Sequence, residues 1–122
     1  MKAVITVCDT CRFSGEERLR DGQTAGEAFA ALVEAAAGAH STLEVRRHSC
    51  LMGCERHCNA ALSAPGKMSY VLGRFRPEAT DAAALVEYAA LYALSGSGVV
   101  AYRAWPEGVK GHFVARIPPP PA

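Results

Sequence analysis

Five cysteines fall into two tight groups, and that grouping constrains the chain more than any other feature. Cys50-Leu-Met-Gly-Cys54-Glu-Arg-His-Cys58 places three thiols at four-residue intervals, and Cys8-Asp-Thr-Cys11 places two more near the start. Cysteines used only as small core hydrophobes have no reason to cluster. An odd number also cannot pair fully into disulfides. The two groups read as halves of one metal site, and an iron–sulfur cluster is the form such thiols suit best.

A chain of 122 residues holds one domain with a single core. The 13 basic and 12 acidic residues leave a net charge of +1, without the basic excess typical of nucleic-acid binding. No run of about 18 apolar residues is present, so no membrane helix is expected. Between Met1 and Cys8 there is no apolar stretch of signal length. The expected compartment is cytoplasmic, where thiols stay reduced or bind metal.

Val4, Ile5 and Val7 make a short β-branched run, so Ala3–Val7 is expected to be a buried strand. The stretch from Cys8 to Gly22 is charged, interrupted by glycine, and loop-like. Thr24–Ala37 is expected to be a helix. Thr24 and Glu27 form a capping box, and Phe29, Leu32, Val33 and Ala36 fall on one face. Thr42–Arg47 alternates as a half-buried strand and runs into the second cysteine group. Asn59–Leu62 and Met68–Leu72 flank the turn Ala64-Pro-Gly-Lys67 as a hairpin. Pro77 opens a second helix that reaches Leu94, with Leu85, Tyr88, Ala89 and Tyr92 on its apolar face. Ser95–Gly98 stops it. Val99–Ala104 is read as a last short strand. Trp105–Ala122, with four prolines from Pro118, is read as an extended or disordered tail.

This is an α/β order: a βαβ unit, a β-hairpin and a C-terminal helix. Both cysteine groups follow strands that flank the first helix. In a right-handed crossover those strands are parallel, and their C-terminal ends share one edge of the sheet. Ligands of open α/β sheets bind at such an edge. Two groups with 38 residues between them are thereby expected to meet.

A two-iron cluster needs two thiolates on each iron. Cys8 and Cys11 suit one iron, Cys50 and Cys54 the other, and Gly53 lets the backbone approach closely. Cys58 is an alternate ligand: if the segment Cys50–Cys58 is helical, all three thiols share one face. In that case Cys58 replaces Cys54, or Cys11 is spare. Other readings stand beside this one. Cys8 and Cys11 alone suit a thiol–disulfide redox pair. The donor set also suits zinc. His48 and His57 are read as surface or supporting residues, and His40 and His112 as surface residues. Arg12 and Arg56 are read as supports for a reduced cluster or as solvated side chains. Tyr88 and Tyr92 are read as core.

The pattern Cys8, Cys11, Cys50, Gly53, Cys54 and Ala64-Pro65 resembles the thioredoxin-like 2Fe-2S ferredoxins. The resemblance extends over roughly Met1 to Leu94. More closely, the chain resembles an uncharacterised bacterial family of predicted metal-binding proteins (DUF1636-like). The marks of that family here are Cys8-x2-Cys11-Arg12, the three-cysteine segment, Pro65-Gly66-Lys67 before Tyr70, Tyr92, Gly111 and Arg116-Ile117-Pro118. Two features depart from the better-known ferredoxins: their first cysteine pair is usually spaced wider, and Cys58 is an additional thiol. The resemblance implies a thioredoxin-like ferredoxin domain over 1–104, with 105–122 as the tail.

The expected function is electron transfer, with one 2Fe-2S cluster on Cys8, Cys11, Cys50 and Cys54. No catalytic base or nucleophile is assigned, so the chain is not read as an enzyme. Loops Cys8–Gly15 and Gly53–Asn59 are expected to form an exposed rim for weak, transient docking of a redox partner protein. A homodimer through the sheet edge or the second helix is also compatible with the sequence.

Overall fold

Strict alternation in the first strand sets the sheet. In the computed structural model, which describes residues 2–14, 16–52 and 58–121, Ala3, Ile5 and Val7 are buried while Val4 and Thr6 are half-buried. These residues belong to β1 (Ala3–Cys8), which the first helix, α1 (Ala25–Ala37), connects to β2 (Leu43–His48). β1 and β2 are parallel, with Ile5 opposite Val45 and Cys8 opposite His48. β3 (Ala60–Ser63) and β4 (Ser69–Leu72) form a hairpin, and β3 lies antiparallel on the other side of β1. A fifth strand, β5 (Phe113–Ile117), pairs antiparallel with β4, giving the order β2-β1-β3-β4-β5. The second helix is α2 (Ala79–Leu94). The helices pack on each other and both touch β1 and β2, so together they cover one face of the sheet.

Helix α1 forms where its capping box predicts. The Thr24 hydroxyl accepts the Glu27 N–H at 3.0 Å, and the Glu27 carboxylate accepts the Thr24 N–H at 2.9 Å. Its buried stripe of Phe29, Ala30 and Val33 faces the core. Helix α2 begins two residues after Pro77, and the buried Asp81 carboxylate accepts the Arg76 N–H at 2.7 Å just before it. Leu85, Tyr88, Ala89 and Tyr92 are all fully buried, as their spacing predicts.

The segment after α2 differs from the expectation. Val99–Ala104 is not a strand: it is irregular and ends in a 3-10 turn at Tyr102–Ala104. The strand that pairs with β4 at the edge of the sheet is β5 instead. Nor is Trp105–Ala122 a loose tail throughout. Val109 is fully buried, a Cβ on Gly108 would collide with Ala84 of α2, and Phe113–Ile117 completes the sheet. Apolar burial outweighs the proline signal here, because Trp105, Val109 and Phe113 have a core to join.

That core carries an aromatic cluster. Tyr70 meets Tyr88, Tyr92 and Phe113 edge-on, with centroids 6.2, 6.0 and 5.5 Å apart. Tyr88 also meets Trp105 at 5.9 Å. The Tyr92 hydroxyl donates to the Met68 carbonyl at 2.6 Å. The Tyr88 hydroxyl is buried without a hydrogen bond of ordinary geometry among the described residues. Burial and the neighbouring Tyr70 phenol push its ionisation upward. Among the described residues, no helix is long and apolar enough to cross a membrane.

Candidate functional site

The first cysteine group is held by the start of α1. The Gly26 N–H donates to the Cys11 carbonyl at 3.0 Å, and the Thr24 hydroxyl donates to the Asp9 carbonyl. Gly26 is needed for this contact, because a Cβ there would run into the Cys8 carbonyl oxygen and the Asp9 backbone. One hydroxyl, that of Thr24, therefore caps the helix and anchors the loop. Cys8 itself ends β1, and its N–H donates to the Asn59 carbonyl at 3.1 Å.

The second group arrives from β2 and leaves towards β3. The Thr10 hydroxyl accepts the Cys50 backbone N–H at 3.1 Å and lies 3.4 Å from the Cys8 sulfur. Cys58 pairs through its backbone with Phe75, its N–H donating at 2.8 Å and its carbonyl accepting at 3.3 Å. Next to it, the buried Asn59 amide donates to the Cys11 sulfur at 3.5 Å. The two sequence-distant groups thus meet at the end of β1.

The thiols are not equivalent. Cys8, Cys11 and Cys58 are buried and Cys50 is exposed. Burial alone would push the Cys8 thiol up. Hydrogen bonds from the Thr10 hydroxyl, the Leu51 and Thr10 backbone N–H groups and the Cys11 thiol outweigh it, and the net shift is downward. Burial pushes Cys11 up to about 12, against a backbone hydrogen bond from Asn59 and with added repulsion from Cys8 and Cys58. Cys58 is also pushed up to about 12, by burial first and then by Cys8 and Asp81. The bonds from Asn59 to the Cys8 backbone and to the Cys11 sulfur place Cys58, one residue before it, beside the first pair.

Cys50 and Met52 both adopt left-handed backbone, with φ of 62° and 63°. That excludes a helix starting at Cys50, so the helical alignment of the three thiols does not begin there. Met52 is 89% exposed and its sulfur lies 3.9 Å from that of Cys50. Gly53, Cys54, Arg56 and His57 lie outside the described residues. Of the described residues in the expected rim, Cys8, Cys11, Cys58 and Asn59 are buried while Thr10, Arg12 and Ser14 are exposed; Cys50 and Met52, outside that rim, are also exposed.

Among the described residues, no three His, Cys, Asp or Glu side chains are arranged to hold a single metal ion. The donor chemistry nevertheless suits a thiolate-bound group: soft sulfurs from two loops, with N–H donors aimed at Cys8 and Cys11. His48 sits exposed at the end of β2, and His40 is also exposed. His112 is not the free surface residue expected. Its ring stacks on Phe75 at 4.4 Å, and its Nδ1 lies 2.8 Å from the Gly73 carbonyl.

Sequence reasoning passed over Thr10, Gly26 and Asn59 as parts of the site. Two of them carried a signal: Thr10 stands between the paired thiols, and Asn59 follows Cys58 directly. No curated protein and no solved structure matches the chain. A family model described as protein of unknown function (DUF1636) matches residues 5–119, and the chain belongs to that family.

Proposed function

We propose that the chain is a small electron-transfer protein with a thioredoxin-like ferredoxin fold and one 2Fe-2S cluster. The observation that carries the reading is the meeting of the two cysteine groups at the end of β1: Asn59, next to Cys58, bonds the Cys8 backbone and the Cys11 sulfur, and the Cys50 N–H is tied to the Thr10 hydroxyl. The strand order β2-β1-β3-β4, with only β1 and β2 parallel, supports the fold assignment. Cys8 and Cys11 make one chelate. Two of Cys50, Cys54 and Cys58 make the other, and the Cys8 backbone bond to Asn59, the residue after Cys58, favours inclusion of Cys58 beside Cys50 or Cys54.

When bound, such a cluster supplies reversible one-electron chemistry. The chain's own residues do the rest. Leu51, Thr10 and Asn59 N–H groups offset negative charge on the sulfurs, and burial of three thiols keeps water away. The exposed side, at Arg12, Cys50 and Met52, is where a redox partner docks transiently. A cytoplasmic setting fits reduced thiols.

Protein purified without oxygen is expected to be red-brown, to contain iron and sulfide, and to bleach with dithionite. A colourless protein with about one zinc per chain would overturn the reading. Single serine replacements at the five cysteines then fix the ligands.

One observation favours a second reading, a thiol–disulfide oxidoreductase. Cys8 is shifted down, Cys11 is pushed up to about 12, and each thiol bears on the other's ionisation. The Cys8 thiolate would attack a substrate disulfide and release one thiol. Cys11 would then displace the second thiol, leaving a Cys8–Cys11 disulfide. Colourless protein that reduces insulin disulfides, with activity lost in Cys8→Ser, selects this reading.

A further inference from the structure

A cleft of about 300 Å³ opens between β5 and the irregular segment that follows α2. It is remote in sequence from both cysteine groups. Tyr70, Trp105 and Phe113 form aromatic walls, Val99 and Val100 add aliphatic surface, and Arg116 supplies a cation. The walls are fixed in place. Trp105 and Phe113 rings lie 4.6 Å apart, both meet Tyr88 edge-on, and Trp105 Nε1 donates to the Val100 carbonyl at 2.9 Å. The cleft is therefore preformed and does not need to assemble around its occupant.

We propose that this cleft binds a small planar aromatic carboxylate or a similar aromatic anion. Size and chemistry both point that way. The volume lies at the lower end for ligand pockets, which suits one or two fused rings. Flat aromatic walls favour stacked or edge-on rings over branched aliphatics. Among the described residues, no carboxylate lies within 4.0 Å of the exposed Arg116 guanidinium, so its charge is open to an incoming anion. An aromatic ring would lie against Trp105 with its carboxylate turned outward to Arg116. The site does not depend on whether the cysteines hold a cluster.

Trp105 is the single tryptophan of the chain, so its fluorescence reports the cleft directly. The full chain is titrated with 1-naphthoate and with neutral 1-naphthalenemethanol at constant ionic strength. A saturable change with one site is expected for naphthoate. Arg116→Gln should weaken naphthoate about tenfold and leave the neutral alcohol unchanged. Val99→Phe, which enlarges an exposed residue of the cleft wall, should weaken both signals while circular dichroism stays native. No saturation by about 1 mM naphthoate would overturn the proposal. So would equal naphthoate binding by Arg116→Gln, or sedimentation showing that the fluorescence change follows self-association at β5.

Discussion

Thr10 and Cys50 are joined across 40 positions of sequence: the Thr10 hydroxyl accepts the Cys50 backbone N–H at 3.1 Å. The same oxygen stands 3.4 Å from the Cys8 sulfur, so one small side chain links both cysteine groups. Thr10→Val keeps the shape and removes the link. It should cost about 1 kcal/mol in denaturant unfolding, and Thr10→Ser should recover most of it. If Thr10→Val is as stable as the parent, the hydroxyl is not what joins the groups.

Gly26 makes a separate contribution. Any side chain there meets the Cys8 carbonyl and the Asp9 backbone, neither of which can rotate away. Gly26→Ala should destabilise by about 1–3 kcal/mol, although alanine is the better helix former by roughly 1 kcal/mol. A raised melting temperature in Gly26→Ala would show that the loop does not lie against the helix.

Tyr88 offers the opposite kind of test. Among the described residues its hydroxyl is buried without a hydrogen bond of ordinary geometry, whereas its ring packs against Tyr70, Trp105 and Phe113. Tyr88→Phe keeps the ring and sheds the polar atom. Its stability should lie within about 0.5 kcal/mol of the parent or above it, whereas Tyr88→Ala should lose about 3–5 kcal/mol. A large loss in Tyr88→Phe would reveal a partner for the hydroxyl.

Glu34 on α1 and Arg47 on β2 form a two-pronged ion pair, with contacts of 2.7 and 3.0 Å. The arginine's hydrogen bond is the main reason the Glu34 carboxyl is held below its ordinary 4.5. A depressed folded value means the pair stabilises above about pH 4.5 and loses that contribution as pH falls through the folded value. Both side chains are more than a third exposed, so solvent and salt limit the effect to about 0.5 kcal/mol. The stability difference between parent and Glu34→Gln should shrink from pH 7 to pH 3, and also at 1 M salt. A difference that does not change with pH would mean the pair contributes nothing.

Much of the scaffold was legible locally. The β-branched run gave β1, the Thr24–Glu27 box gave the start of α1, and Pro65-Gly66 gave the hairpin turn, because each signal acts within one turn of chain. β5 was hidden because Phe-Val-Ala-Arg-Ile is short, stands before four prolines, and becomes a strand only when β4 offers an edge. His112 was misread for the same reason: a lone histidine gives no sign of the Phe75 ring beneath it.

The sequence by itself determined which chemistry is available, since five clustered thiols are written in the chain and no folding event can add or remove them. It also determined the order of helices and strands up to Leu94, through periodicity and capping. Only the tertiary structure decided that, among the described thiols, Cys8, Cys11 and Cys58 are buried while Cys50 faces water. Hydrogen bonds at Cys8, Cys11 and Cys58 come from Thr10, Asn59 and Phe75, and the fold brings Asn59 to the first pair and Phe75 to Cys58 from distant parts of the chain. Desolvation belongs to a place in the folded molecule, so two cysteines three residues apart end with thiols shifted in opposite directions.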